Sequence, residues 1–499
     1  MRRIACLVLL GLSVSFVPLP KPDPRIAAVE NGLSTYLPVA GVPGQNLLDR
    51  MRVYGVPGLS IAVIHEGKLA WAKGYGWADT LRKVPVTTET LFSAGSVSKP
   101  VAALGALRLV ESGKLGLDAP IDEYLKSWKT PQNEFTRQQP VTLRHLLSHT
   151  AGTTQHGFWG IQPGDTLPTV PQILNGERVA QSRRVDVDFV PGTQWRYSGG
   201  GTTVAQLAVM DVTSEPYAEV LRKTVLDPLG MRRSTFAQPL PESWKENAAW
   251  PYCRQNWFKG QPHVYPQQAA AGLYSTPSDL ARFVVEIQRA YAGKSKVLRT
   301  ETVRTMLTPV PTKMSWGRGY GFATMALDQT DMGLGFFLGN RSDGGSDTYF
   351  FHTGQNAGFV TYCIGSLREG NGAVVMINEN DADGLLHEVI RSIAKAYGWR
   401  GFLHEPLQPL ALTATQLDAF AGTYRRGEER ITLTRQGTHL VQNGEGWRRG
   451  IDAYLTGPDT IRFTDYVTEG VFTRDAQGRI KSCEGMLNGK KIWEMVRVE

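Results

Sequence analysis

Four cysteines in 499 residues are too few to build a disulfide framework. They stand at Cys6, Cys253, Cys363 and Cys483, so loss of the N-terminal segment leaves an odd number; one pairing stays open, and none has metal-site spacing. Long apolar runs are equally scarce. "IACLVLLGLSVSFV" is too short to span a bilayer comfortably, and no later segment is long and apolar enough. Charged residues make up 20% of the chain with no long run of one sign, which argues against disorder. No Lys/Arg cluster is interleaved with aromatics, so the net charge of +8 does not point to nucleic acid. It suits an anionic cell envelope, or solubility alone. The acidic residues form no group that demands paired catalytic carboxylates. "SGGGT" is not a phosphate-cradling loop before a suitable helix.

Histidines at 145 and 149 have the i, i+4 spacing of a zinc pair, with His156 following. Leu146 stands where the HExxH motif needs its glutamate. His149 precedes Thr150-Ala151-Gly152, which reads as a helix C-terminus where an imidazole suits the dipole. Both are assigned structural roles, and neither a metal nor a cofactor is expected.

At the N-terminus, Arg2 and Arg3 precede the apolar run, and prolines 18, 20, 22 and 24 follow it. This reads as an export signal over residues 1–22, with "SVS" at Ser13 to Ser15 an imperfect cleavage site; a retained membrane anchor is the alternative. The expected location is periplasmic or secreted.

With 41% apolar residues, the chain can bury a large core in two or more domains. Leu59 to Ile64 and Leu69 to Tyr75 read as a hairpin turning at His65 to Lys68. "YFFHTG", "FVTYCIGSL" and "GAVVMINEN" read as three further strands, with "AVVMI" central in a sheet covered on both faces. Helices are expected near Ser96, over "TPSDLARFVVEIQRAY" with Thr276 as cap, and over "GLLHEVIRSIAKAYG". A mostly helical insert runs from about Leu115 to Leu307. After a proline-bearing linker, His404 to Thr413, short strands with Gly and Asn-Gly turns read as a small antiparallel barrel or sandwich over 414–499.

Two Ser-x-x-Lys pairs occur, Ser96/Lys99 and Ser392/Lys395. Residues three apart share a helix face, so the amine can reach the hydroxyl. Ser392 falls inside a helix, where its hydroxyl is expected to bond a carbonyl one turn back. Ser96 follows Gly95 and precedes Pro100, which places it in a first helical turn, where free N–H groups favour an anion. A capping serine beside a surface lysine is the bland alternative.

"PGTQWRYSGGG" then presents Tyr197, and "FFHTGQNAG" presents His352, Thr353 and Gly354 at a strand end. Together, in this order, these motifs resemble the serine β-lactamase-related hydrolases: class C β-lactamases, D-Ala-D-Ala carboxypeptidases, D-aminopeptidases and related esterases. The resemblance covers about Val53 to Gly398, and "LLSHTAG" and "AAGLYSTPSDLARF" add to it. It implies a β-lactamase/transpeptidase-like α/β (α+β) fold, an antiparallel sheet flanked by helices with a helical insert. The hydrolase domain would span 23–403, and the terminal barrel is similar to a lipocalin-like appendage. By the same resemblance Ser96 attacks an acyl carbonyl, and Lys99 and Tyr197 move protons. The N–H groups of Ser96 and Gln355 form an oxyanion hole. Gly354 lets substrate approach, and His352, when protonated, assists Tyr197. His352 and Thr353 meet a substrate carboxylate or carbonyl. Gly199 stands where the family usually has asparagine, and His352 where lactamases have lysine. Peptidase or esterase action on a small molecule or short D-residue peptide, peptidoglycan fragments among them, is therefore ranked above lactam hydrolysis. A class C-type β-lactamase and a non-catalytic envelope binding protein are the alternatives.

Overall fold

The computed structural model describes residues 23–253, 260–311, 327–341, 347–399, 402–444, 449–465, 468–487 and 489–498. The N-terminal segment 1–22, read as an export signal, lies outside them.

Alternating apolar residues build an eight-stranded sheet that is antiparallel throughout. Its order is Val84–Pro85, Lys68–Asp79, Gly58–His65, Gly372–Ile377, Phe359–Ser366, Thr348–Asn356, Phe337–Arg341 and Leu327–Met332. The strand Gly372–Ile377 is central and buried along its whole length. Val374 and Met376 pack into one core with the helices Ser98–Glu111 and Pro277–Tyr291. Ala373, Val375 and Ile377 pack into a second core with Leu385, Leu386, Val389, Ile390 and Ile393 of the helix Asp383–Tyr397. A strand clothed on both faces has no polar side, as its sequence shows. Thr276 caps the helix Pro277–Tyr291 by accepting from the Asp279 N–H at 3.2 Å.

Ser392 is a structural residue, but not through its own helix. Its hydroxyl donates to the Val29 carbonyl at 2.7 Å, tying Asp383–Tyr397 to the helix Pro24–Glu30, while Lys395 is exposed. The partner differs from the carbonyl one turn back because the two helices pack closely enough for the tertiary acceptor to win.

Eight strands between Gly422 and Arg497 close into an antiparallel barrel filled by side chains such as Phe420, Tyr424, Phe463 and Phe472. The approach to it is pinned: Leu407 bridges Val39, Leu410 N–H donates to the Leu455 carbonyl, and Leu37 N–H donates to the Thr464 carbonyl, the last two at 2.8 Å.

Candidate active site

Ser96 sits in a single 3-10 turn, Gly95–Val97, that runs directly into the helix Ser98–Glu111. The turn is held from both sides. Ser98 Oγ donates to the Gly95 carbonyl at 2.6 Å and accepts from Leu273 N–H at 3.0 Å. Within 91–100 only Ser96 is not fully buried. Gly95 has φ +53°, where a side chain is strained, and a Cβ there would come within 2.6 Å of Gln355 N. A Cβ on Gly354 would lie 2.0 Å from the Ala94 carbonyl oxygen and 3.0 Å from Ser96 N. The strand end and the turn thus meet backbone to backbone, and the amides of Ser96 and Gln355 come close together. The Gln355 side chain donates to the Asn380 carbonyl at 3.1 Å.

Lys99 points back along its helix to Ser96, Nζ to Oγ 3.0 Å, and also donates to the Ala270 carbonyl at 2.8 Å. The segment that carries this carbonyl is held by Gln206, whose side chain accepts from Ala269 N–H and donates to the Pro266 carbonyl. Lys99 is 4% exposed and faces no carboxylate among the described residues, so burial lowers it to about 7. A substantial neutral fraction at neutral pH makes the amine a proton acceptor.

Tyr197 hydrogen-bonds the Ser96 side chain, and Lys99 Nζ lies 4.8 Å from its ring centroid. Burial pushes the phenol up, so it is protonated and acts as a donor. Its segment is laced to 149–153: Arg196 N–H donates to the His149 carbonyl at 2.9 Å, and Ser198 N–H to His149 Nδ1 at 3.2 Å. Ser198 then caps the helix Gly199–Thr213, accepting from Gly201 N–H at 2.9 Å. Gly199 and Gly200 N–H donate to the carbonyls of His156 and Gln155 at 2.8 and 2.9 Å. The glycine run therefore lets the 155–158 loop close onto the helix. A Cβ on Gly199 would meet Phe158 at 3.1 Å.

His352 corrects one expectation. It is 1% exposed, its Nδ1 shares a 2.5 Å hydrogen bond with the Thr353 carbonyl, and Nε2 is buried with no hydrogen-bond partner among the described residues. Burial first, and the charge of Lys99 second, lower it to about 3. It is neutral at neutral pH, so it supplies no positive charge to Tyr197 and no cationic anchor for a carboxylate. With Nδ1 as donor to the carbonyl, Nε2 offers a lone pair. Thr353, half-buried, follows it on the same strand.

Three more rings complete the cluster and were not assigned to it from the sequence. His149 lies 4.4 Å and His156 5.0 Å from the Tyr197 ring centroid, and Phe337 stacks on Tyr197 at 6.3 Å. His149 is not a dipole-stabilised cation. Burial and the nearby Lys99 hold it well below the ordinary histidine range, and it takes a left-handed φ of +59°. His145 is structural as expected, serving the capping box of the helix Leu143–Leu147 with Thr142. The glycine run after Tyr197 was the available signal that a loop packs there; the histidine it brings is 41 residues upstream of that tyrosine.

Comparison with known proteins follows this geometry. A family model described as Beta-lactamase matches residues 45–398. Esterase EstB of Burkholderia gladioli is 29% identical over 305 residues, covering 53% of this chain and 74% of EstB. Teichoic acid D-alanine hydrolase of Staphylococcus aureus is 26% identical over 231 residues, 46% of this chain; the match spans only 54% of that relative's length. Among solved structures, the octameric penicillin-binding protein homologue from Pyrococcus abyssi aligns with a TM-score of 0.62 at 21% identity, covering 90% of this chain and 98% of that one. The last likeness carries the fold alone.

Proposed function

The chain belongs to the beta-lactamase family and is a serine hydrolase; from that premise we propose that Ser96 forms an acyl-enzyme with a small ester. The observation that carries the reading is the buried amine of Lys99, lowered to about 7, at 3.0 Å from Ser96 Oγ. Lys99 takes the Ser96 proton as Oγ bonds to the ester carbonyl carbon. The carbonyl oxygen gains its charge beside the amides of Ser96 and Gln355. The C–O bond to the leaving alcohol breaks as Tyr197 gives that oxygen its proton and regains one from Lys99.

An ester is favoured over an acylamino-bearing lactam or peptide by Gly199. No side-chain amide is offered there, and the His156 carbonyl oxygen and the Phe158 ring lie 3.0 and 3.1 Å from where a Cβ would sit, which leaves a side chain little room. The likeness to an esterase and to a D-alanine hydrolase supports the same substrate range, with D-aminoacyl esters inside it. Export to the cell envelope is part of this reading and rests on Arg2, Arg3 and the apolar run after them.

The test is intact mass and turnover with 4-nitrophenyl acetate, a D-alanyl ester, a D-alanyl-D-alanine peptide and a penicillin. An acyl adduct on Ser96 with ester turnover is expected, and Ser96→Ala abolishes both. Turnover of penicillin ahead of both esters would replace this reading with a lactamase.

A further inference from the structure

Acylation is only half of hydrolysis. The ester on Ser96 must then be attacked by water, and a base must take that water's proton. Among the described residues four nitrogen bases lie about Tyr197, and three are sealed: Lys99 is 4% exposed, His149 2% and His352 1%. His149 also uses Nδ1 to accept from Ser198 N–H, and His352 uses Nδ1 toward the Thr353 carbonyl. Tyr197 is a protonated donor. The fourth base, His156, is exposed, and its ring centroid stands 5.0 Å from that of Tyr197. Its backbone is fixed independently of its ring. The His156 carbonyl accepts from Gly199 N–H, and the Gln155 carbonyl accepts from Gly200 N–H and from Ser198 Oγ.

We propose that His156 is the general base of deacylation, the imidazole that takes a proton from solvent water as it attacks the Ser96 ester. Water oxygen bonds to the acyl carbon and its proton passes to His156. The carbon–Oγ bond then breaks, Ser96 Oγ takes the Tyr197 proton, and His156 returns a proton to Tyr197. The acid is released and every group regains its starting state. Burial and, after it, the charge of Lys99 set the imidazole below the ordinary histidine range, which leaves it unprotonated at neutral pH. Among the described residues, Lys99, Tyr197 and His149 are the titratable groups facing it. The inference rests on the acyl-enzyme reading above.

The experiment is stopped-flow and quenched intact-mass analysis of wild type, His156→Gln and His156→Phe with 4-nitrophenyl acetate. Wild type should show an acyl-Ser96 burst. Both variants should keep the burst rate within about threefold and lose about 10²-fold in deacylation, so that acyl-enzyme accumulates. The acid limb of deacylation should disappear with the ring, and added imidazole should restore turnover. A His156→Phe variant that deacylates like wild type, or a loss shared equally by burst and steady state, reduces His156 to packing against Tyr197 and overturns the proposal. A wild type with no burst and no adduct refutes the acyl-enzyme reading instead.

Discussion

Gly354→Ala puts the backbone contact behind the site to a direct test. An added Cβ would sit 2.0 Å from the Ala94 carbonyl oxygen, where real Cβ contacts lie beyond 3.0 Å, so strand and turn must separate by about 1 Å. Neither side can yield by turning a rotamer, because the atoms in conflict are main chain. The separation also moves Gln355 N, the next residue, away from Ser96 N. A displacement of about 1 Å at reacting groups costs about 10²-fold, and loss of one oxyanion donor about 10²–10³-fold. We expect kcat for 4-nitrophenyl acetate to fall by about 10²-fold, at a stability cost of about 1–3 kcal/mol. Urea unfolding measured beside the kinetics separates a distorted site from an unfolded chain. A folded Gly354→Ala enzyme within about threefold of wild-type kcat would show that the two amides do not hold the reacting oxygen.

Lys99→Met should abolish acylation while raising Tm, because it removes an amine buried without a carboxylate. Lys99 titrates near 7 in the fold against about 10.4 unfolded, so its penalty is complete below 7 and fades as pH rises toward 10. The Tm gain is therefore expected to be larger at pH 6 than at pH 9, and a uniform loss of Tm refutes this. KM for a carboxylate-bearing ester should show no inflection between pH 5 and 8 from His352, which titrates near 3; an inflection that vanishes in His352→Gln would contradict its neutrality. Asp465, raised to about 6 by burial and by Glu388, costs stability as pH rises from about 4 through 6. Asp465→Asn should raise Tm at pH 8 and leave it unchanged at pH 4, and equal effects at both would sink the assignment.

That Ser96, Lys99, Tyr197 and the His352 segment converge was foreshadowed in the sequence because each motif carries its own local geometry. Gly95 and Pro100 fix where the helix can begin; the strand expected to end at His352 to Gly354 instead runs on to Asn356, which pairs with Phe359 across a tight turn. What could not be read was whatever depends on distant packing. The protonation of His352 is set by its burial among rings that include Tyr197, 155 residues upstream, and by the charge of Lys99. His156 reaches Tyr197 because Gly199 and Gly200 admit its loop, a reason visible in the residues but not in their order. Ser392 was read as bonding a carbonyl one turn back in its own helix, whereas its hydroxyl donates to the Val29 carbonyl, 363 residues away. The strand pattern after residue 413 allowed a sandwich as readily as a barrel; closure depends on pairing Tyr424 with Arg497, across the whole segment.

The small barrel is anchored by Leu37 and Leu410, and its Asp465 interacts with Arg391, Glu388 and Arg50, all on the side of the sheet away from the helix that bears Lys99. The helix layer that carries these partners packs into the same core as Trp195 and Phe337, against which Tyr197 rests, so the barrel is linked to the site through this core. Severing it should therefore loosen the helix Asp383–Tyr397 against the sheet and, through that core, the seat of Tyr197.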